Sequence, residues 1–187
     1  MVQVWITTSL LAQVLVNTTA KSTSSKRCVS LPALSYIKLT LQTNAPEKPD
    51  LKLKLLAEID EKARKNIVIA SSSSGIPSSK FVGQCKNPER VLIGHPFNPP
   101  HLMPLVEVVP HPGTSNAAIA TALQFYNSLG RKAINIKEET PGFVANRLQA
   151  ALCNEAYSLV SRGIVSAQEL GKTVHTSPRY PEGSLIR

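Results

Sequence analysis

The stretch that decides the fold reads Val91-Leu92-Ile93-Gly94-His95-Pro96-Phe97-Asn98-Pro99-Pro100, and Leu105-Val106-Glu107-Val108-Val109 follows it closely. Each segment contains a short apolar run with the length of a buried strand. The first run ends in a histidine held by proline-fixed backbone, and the second contains one carboxylate, Glu107. A carboxylate in an apolar strand needs a partner, because burying an unpaired charge is unfavourable. The sequence therefore predicts two neighbouring strand ends that carry polar chemistry.

Helix and strand patterns alternate on both sides of this stretch. Short apolar runs over residues 66–70 and 133–136 predict two more strands, and residues 115–129 predict a helix that Gly130 ends in a left-handed conformation. Such alternation is typical of an α/β layer with a mainly parallel sheet. Residues 46–65 predict a helix that Asp50 caps, with its charges opposite an apolar side made of Leu51, Leu55, Leu56, Ile59 and Ala63.

The pattern becomes all-helical from Thr140 onward. A long helix is predicted from Phe143 to the neighbourhood of Gly163, and residues 166–169 have the capping-box spacing that opens another helix. We expect the helical pattern to end after Gly171. The α/β layer is thus followed by a second, helical part.

Composition argues against several classes of protein. The net charge of the 187 residues is +9, but basic and acidic residues nearly balance from Glu47 to Gly171, so no basic stripe indicates a nucleic-acid surface. No apolar run reaches the roughly 18 residues of a membrane-spanning helix. The 3 cysteines are too few and too far apart for a disulfide framework or a zinc site, which favours a reducing compartment. We expect a cytoplasmic protein, with a mitochondrial one as the alternative because residues 1–41 are acid-poor and serine-rich.

His95 and Glu107 are the strongest candidates for chemistry. His95 follows a predicted strand at its carboxyl end, where open α/β sheets bind their ligands, and a histidine there can act as a general base. Glu107, on a neighbouring strand end, can orient that imidazole. The alternative is a histidine in a turn and a glutamate on an edge strand that faces water.

Two further stretches can bind a ligand. Ser71-Ser72-Ser73-Ser74-Gly75 follows a predicted strand and offers hydroxyl and backbone N–H groups, although an ordinary polar turn has the same composition. Asn146 follows Pro141-Gly142-Phe143 at the start of the helical part, where it can hydrogen-bond a ligand or simply begin a helix. Neither stretch decides between these alternatives by itself.

Together, these stretches resemble the 3-hydroxyacyl-CoA dehydrogenase family from about Gln42 to Gly171. Residues 95–100 and 104–112 are most similar to its lambda-crystallin / L-gulonate 3-dehydrogenase branch, which includes fungal proteins named 3-hydroxyacyl-CoA dehydrogenases. The resemblance implies an α/β fold in which a partial Rossmann-type parallel sheet is followed by a truncated all-helical C-terminal domain. The expected parts are an atypical head over 1–41, a partial NAD-binding domain over 42–138 and the truncated helical domain over 139–187.

The resemblance also implies roles for four candidate residues. His95 matches the catalytic histidine that takes the hydroxyl proton as hydride moves to the nicotinamide. Glu107 matches the acidic partner that orients the imidazole and stabilises its charged form. Ser74 matches a serine that contacts the substrate oxygen, and Asn146 matches an asparagine that helps to position the substrate carbonyl.

NAD is the cofactor that the resemblance implies. Asn98 matches a cofactor-side asparagine, and Lys52 matches a lysine that lines the NAD site. The sequence departs from the family before Glu47, because its first glycine is Gly75 and it has no G-x-G-x-x-G turn for the pyrophosphate. It also reads Gln42-Thr43-Asn44 where the family usually has Gln-Glu-Asn.

The implied activity is an NAD-dependent oxidation of a 3-hydroxy group to a 3-keto group in fatty-acid metabolism. The substrate would be a 3-hydroxyacyl-CoA or a 3-hydroxy acid, and the full-length family is expected to form homodimers. We expect no metal, nucleic-acid or membrane partner. The alternatives are an L-gulonate 3-dehydrogenase or lambda-crystallin-like protein, and a non-catalytic truncated family member.

Overall fold

The computed structural model describes residues 40–100 and 102–176. The chain separates into two units, which divide between Phe143 and Val144. Of the head expected over 1–41, all but Thr40 and Leu41 lies outside the described residues. No helix within these two ranges is long and apolar enough to cross a membrane.

Within the described part of the first unit, the strands form one five-stranded sheet in chain order. Neighbouring strands are parallel except β3 and β4, which are antiparallel. The expected α/β class with a mainly parallel sheet is therefore confirmed. The elements are β1 (Thr40–Thr43), α1 (Pro49–Lys62), β2 (Val68–Ser71), β3 (Val91–Pro96), β4 (Leu105–Pro110), α2 (Asn116–Ser128) and β5 (Lys132–Asn135), with short 3-10 turns at Ser78–Lys80 and Pro88–Arg90.

Two helices, α3 (Ala145–Ser161) and α4 (Ala167–Thr176), make up the described part of the second unit. Gly163 takes a left-handed φ of 69° after α3, and the Ser166 hydroxyl accepts the backbone N–H of Glu169 at 3.2 Å at the start of α4. The expectation that the helical pattern ends after Gly171 is wrong. The helix continues to Thr176 because no proline or further glycine interrupts it there.

Each face of the sheet has its own apolar core, because successive side chains along a strand point to opposite faces. We call these the α2 face and the α1 face, after the helix that packs on each. His95 and Glu107 belong to the α1 face by alternation, since they lie two residues from Ile93 and Val109 on their strands. The α2 face comprises Val68, Ala70, Leu92, Val106, Val108, Ala118, Ala122, Phe125 and Tyr126. The α1 face comprises Leu56, Ile69, Phe81, Val82, Val91, Ile93, Val109, Ile136 and Phe143.

The sequence predicted that the charged residues of α1 face away from its buried side. This prediction is wrong for two of them. Leu51 is 43% exposed, whereas Lys52, Leu56 and Asp60 are the buried residues of the helix. These three residues are spaced four apart and therefore share one helical face. The face tolerates two charges because each of them has polar partners inside the fold.

The start of α1 also differs from the prediction. Asp50 does not cap the helix but lies in its first turn, and the N-cap residue is Lys48, which makes no side-chain capping bond. Pro49 occupies the first helical position. Proline is favoured there because its φ already suits a helix and its missing N–H would have no partner within the helix.

A buried ion pair holds the chain that leads into β3. Nη2 and Nε of Arg90 lie 2.7 and 2.8 Å from Oδ1 of Asp60, and the backbone N–H groups of Lys86 and Asn87 donate to Oδ2 at 2.6 and 2.9 Å. Burial works to raise the pKa of Asp60. The hydrogen bonds from Asn87, Arg90 and Lys86 outweigh burial, so this pKa lies below its ordinary value of 3.8.

We predict that Asp60→Asn lowers the free energy of unfolding by about 3–5 kcal/mol, because it leaves the Arg90 guanidinium buried without a counter-charge. The depressed pKa means that the part of the stability linked to ionisation of Asp60 is fully present above pH 3.8 and is lost as the pH falls through the lower folded-state value. Urea unfolding from neutral pH to about pH 2 measures both effects. Glu61→Gln is the control, since it removes an exposed carboxylate; a difference between Asp60→Asn and wild type that stays constant with pH would contradict the assignment.

Candidate active site

Several of the candidate residues lie at one end of the sheet, which we call the carboxyl edge because β1 to β3 finish there. β1, β2 and β3 are parallel, so their carboxyl ends meet there, and the amino end of the antiparallel β4 joins them. The edge carries the serine loop of residues 71–75 after β2, His95 near the end of β3 and Glu107 near the start of β4. Open α/β sheets bind their ligands at this edge.

His95 and Glu107 form a buried pair across β3 and β4. They are register partners in the ladder, and Nδ1 of His95 lies 3.0 Å from Oε2 of Glu107. The residues are 5% and 0% exposed. When Glu107 is ionised, its carboxylate only accepts hydrogen bonds, and in that state Nδ1 of His95 donates and Nε2 is the nitrogen able to take a proton. The alternative of an edge-strand glutamate facing water is wrong, because β4 lies between β3 and β5.

Two phenyl rings pack against the His95 imidazole. The ring centroids of Phe97 and Phe143 lie 4.5 and 5.5 Å from that of the imidazole, with interplanar angles of 52° and 57°. Phe143 has a left-handed φ of 51° and follows Gly142, whose φ is 78°. This conformation costs a residue with a side chain about 1–3 kcal/mol. Phe143 is fully buried in the core of the α1 face, which offsets that cost.

Glu47 organises the serine loop. Its Oε1 accepts the backbone N–H of Ser74 at 2.7 Å and the Ser74 hydroxyl at 3.3 Å. Its Oε2 accepts the hydroxyl of the buried Ser73 at 3.0 Å. The sequence analysis missed this role, because Glu47 lies 27 residues before Ser74 and no local pattern connects them.

Lys52 is a buried cation beside the same carboxylate. Its side chain is 1% exposed, and Nζ lies 3.7 Å from Oε1 of Glu47. Nζ also donates a hydrogen bond to the Ala45 carbonyl at 3.1 Å. Burial lowers the pKa of Lys52, since desolvation disfavours the ammonium, and the attraction of Glu47 works against that shift. Ser74 and Lys52 are thus brought together through Glu47.

The two asparagines lie in different parts of the chain. Asn98 is exposed in the loop after β3, three residues beyond His95. Asn146 lies in the first turn of α3, at the start of the second unit. The structure therefore joins His95 directly to Glu107 and links Ser74 to Lys52, while the roles expected for all six residues stay predictions.

A hydrogen-bonded bridge holds the backbone just before His95. The Tyr126 hydroxyl of α2 donates to Oε1 of Gln42 at 2.9 Å, and Nε2 of Gln42 donates to the Gly94 carbonyl at 3.2 Å. A Cβ added at Gly94 would lie 1.9 Å from the Tyr126 hydroxyl oxygen. Only glycine therefore fits between this tyrosine and the histidine.

Comparison with known families identifies the kind of protein. The family model described as "3-hydroxyacyl-CoA dehydrogenase, NAD binding domain" matches residues 34–139, and the one for the C-terminal domain of that enzyme matches residues 142–185. The chain belongs to the 3-hydroxyacyl-CoA dehydrogenase family. This confirms the family resemblance drawn from the sequence, and it makes the chain a relative of NAD-using oxidoreductases.

Individual family members show how the chain relates to whole enzymes. It is 61% identical over 139 residues to a 3-hydroxyacyl-CoA dehydrogenase of Gibberella moniliformis, and that match covers 74% of this chain and 43% of the relative. It is 44% identical over 134 residues to an L-carnitine dehydrogenase of Pseudomonas aeruginosa, covering 72% of this chain and 42% of the relative. The chain thus spans less than half the length of these curated relatives.

Solved structures of family members agree with the fold. An NAD+-dependent 5-dehydrogenase of a methylpyridine carboxylic acid (FHMPC) superposes with a TM-score of 0.71 at 33% identity, covering 75% of this chain and 46% of that one. The (S)-3-hydroxybutyryl-CoA dehydrogenase of Ralstonia eutropha superposes with a TM-score of 0.70 at 31% identity, covering 76% and 50%. The chain shares the Rossmann-like architecture of both.

We predict that Gly94→Ala lowers the free energy of unfolding by about 1–3 kcal/mol, because the new methyl group collides with the Tyr126 hydroxyl. Urea unfolding followed by circular dichroism measures this loss. Gly83→Ala is the matched control, because a Cβ there meets nothing within 4 Å. Equal stability of the two variants would show that Tyr126 is not packed against β3 as described.

Proposed function

We propose that this chain carries the proton-transfer site of an NAD-dependent dehydrogenase of the 3-hydroxyacyl-CoA type, which oxidises a 3-hydroxy group to a 3-keto group. The observation that carries the proposal is the fully buried Glu107 carboxylate held 3.0 Å from Nδ1 of His95. A base held in one orientation by a buried acid is the arrangement that general-base catalysis requires. Family membership supports the same reaction class.

In this mechanism, Nε2 of His95 takes the proton of the substrate hydroxyl. Glu107 then stabilises the imidazolium through the Nδ1–H bond, since an opposite charge nearby favours the charged form. Ser74 contacts the substrate oxygen, and Asn146 has the role that the family resemblance implies, which is to help position the substrate carbonyl. NAD, when bound, supplies the acceptor for the hydride that leaves the hydroxyl-bearing carbon.

The residues at the carboxyl edge suit the nicotinamide end of NAD. Hydroxyl, amide and ammonium groups of the serine loop, Asn98 and Lys52 offer donors to its amide and ribose. Lys52 is held by Glu47 and Ala45 and is therefore presented in a defined position. We assign Lys52 and Asn98 to this end of the cofactor. This assignment covers the nicotinamide end of the cofactor, and residues 1–39 lie outside the described residues.

The substrate class is the finer part of the proposal. The fungal relative named 3-hydroxyacyl-CoA dehydrogenase, at 61% identity, favours a 3-hydroxyacyl-CoA and a role in fatty-acid metabolism. A free 3-hydroxy acid is the second candidate, favoured by the bacterial L-carnitine dehydrogenases at up to 44% identity. L-gulonate, the substrate of the lambda-crystallin branch, belongs to this second class. Both classes present a hydroxyl group β to a carbonyl carbon, so the same base serves either one.

We also propose that the helical part mediates dimerisation, as expected for the family. Within its described residues, α3 has no buried residue, and four large apolar side chains of this part are exposed. These are Val144, Leu148, Tyr157 and Ile164, with exposed fractions of 40%, 61%, 71% and 57%. Exposed apolar groups on one helical part favour association.

The cytoplasmic location and the division of the chain into parts at 41/42 and 138/139 also stay predictions.

We predict that the purified chain binds NADH with a micromolar dissociation constant, measured by the enhancement of NADH fluorescence. Lys52→Met should weaken this binding about tenfold, because each lost tenfold corresponds to about 1.4 kcal/mol and a hydrogen bond to a charged group contributes about that much. Lys86→Met is the matched control, since it removes an exposed lysine whose ammonium pairs with the exposed Glu61. No binding at millimolar NADH would overturn NAD use by this chain, and equal effects of both variants would overturn the role of Lys52.

We predict that His95→Gln lowers the rate of NADH-dependent acetoacetyl-CoA reduction by about 10²–10⁴-fold, the usual contribution of a general acid or base. NADH affinity should stay near wild type, because His95 acts on the substrate. Glu107→Gln should lower the rate less and shift its pH profile, since the neutral amide no longer stabilises the imidazolium. Retained turnover in His95→Gln would refute the base assignment, and a wild-type chain that binds NADH but reduces none of acetoacetyl-CoA, 3-dehydrocarnitine and 3-dehydro-L-gulonate would favour the non-catalytic alternative.

A further inference from the structure

The hydrogen bond to Glu107 does not by itself determine where Nε2 of His95 points. A single bond at Nδ1 defines one direction of the imidazole. The ring also turns about its two side-chain torsions, χ1 and χ2, and small coupled rotations about them still move Nε2 while the 3.0 Å contact at Nδ1 is kept. Proton transfer requires the base within hydrogen-bond reach of the reacting proton, so a second contact has to hold the plane of the ring.

Phe143 provides such a contact from the interior of the fold. Its ring is fully buried, and its centroid lies 5.5 Å from the imidazole centroid. Phe97 lies closer, at 4.5 Å, but it is only half-buried, on the loop that leaves β3. A fully buried ring in a close-packed core moves little, and it therefore constrains its neighbour more firmly than a half-buried loop residue does.

The backbone at this position is strained to place that ring. Gly142 and Phe143 are both left-handed, with φ values of 78° and 51°, and a bulky residue rarely adopts this conformation. Two hydrogen bonds hold the segment, because the Phe143 N–H donates to Thr140 and the Gly142 N–H donates to Gly75, at 3.0 and 2.9 Å. Gly75 directly follows Ser74 in the serine loop. The segment that presents the ring is thus tied to the loop that carries the proposed substrate contact.

We infer that Phe143 is a positioning residue that fixes the plane of the His95 imidazole. Its strained backbone holds the phenyl ring in a fixed position relative to the serine loop. Strain that persists in a folded chain is stabilised by its surroundings and is concentrated at functional sites. The inference rests on the proposed function for its catalytic consequence. The positioning itself is a property of the folded chain that is measurable without turnover.

The test compares Phe143→Leu with Phe125→Leu. Phe125 is an equally buried phenylalanine whose ring contacts Tyr126 on the α2 face, and it does not belong to the core that contains Phe143. The readout is the far-downfield proton resonance of the His95 Nδ1–H in histidine-labelled protein, assigned by its absence in His95→Gln. Its line width and exchange with water are measured rather than its position, because removing a phenyl ring changes the chemical shift by itself.

We expect Phe143→Leu to broaden the resonance beyond detection, because a tilting imidazole exchanges its proton with water, while Phe125→Leu keeps it sharp. Phe143→Met restores most of the volume without the ring and serves if the leucine variant does not fold. It should broaden the signal in the same way. A sharp resonance in either folded Phe143 variant would overturn the inference, and so would equal broadening in Phe125→Leu, which would indicate a general loss of stability.

Catalysis supplies an independent measurement. Phe143→Leu should lower kcat by about 10²-fold, the size expected when a reacting group is displaced by about 1 Å, with KM and NADH affinity nearly unchanged. Phe125→Leu should leave kcat near wild type. If the wild-type chain shows the resonance but does not turn over substrate, the proposed function is refuted. The positioning role of Phe143 is then tested by the line widths alone. A wild-type chain without the resonance would refute the His95–Glu107 pair, and with it the inference.

Discussion

The burial of one carboxyl group, that of Glu107, constrains the whole site. Glu107 is fully enclosed in a strand with sheet neighbours on both sides, and a carboxylate in such surroundings is tolerated only when a hydrogen-bond donor meets it. His95 is that donor because β3 and β4 run antiparallel and place the two residues opposite each other. Gly94, which directly precedes His95, and the phenyl rings packed against the imidazole help to keep the two side chains in contact.

Two carboxyl groups at the carboxyl edge, those of Glu107 and Glu47, differ in their exposure to water. Glu107 is shielded from water and pairs with the His95 imidazole, whereas the side chain of Glu47 is 39% exposed and its carboxylate binds both the serine loop and Lys52. A shielded charge interacts more strongly with a neighbouring group because little water screens it, whereas the interactions of an exposed charge are screened. The carboxyl edge thus combines a water-shielded His95–Glu107 pair with a serine loop that is held by a more exposed carboxylate.

Much of this was predictable from the sequence because it depends on local pattern. Strands β2 to β5, helix α2 with its Gly130 end and the pairing of His95 with Glu107 all follow from short apolar runs and from neighbouring strand ends. β1 was missed because its four residues, Thr-Leu-Gln-Thr, carry little apolar pattern and depend on pairing with β2. The burial of Lys52 and Asp60, and the hydrogen bonds of Glu47 with the serine loop, depend on contacts between residues that are far apart in the sequence. Hydrophobic periodicity carries no information about such contacts.

Strand alternation also determines where the chain tolerates a change of length. Residues 97–104 connect β3 to β4 outside the ladder, so an insertion there lengthens a loop and leaves Glu107 opposite His95. One residue inserted in β4 directly after Glu107, with Val108 and Val109 kept in register, would turn the carboxylate toward the opposite side of the sheet, among the apolar groups of the α2 face. Natural insertions and deletions in related chains should therefore cluster in the connection and avoid the strand residues that follow the acid.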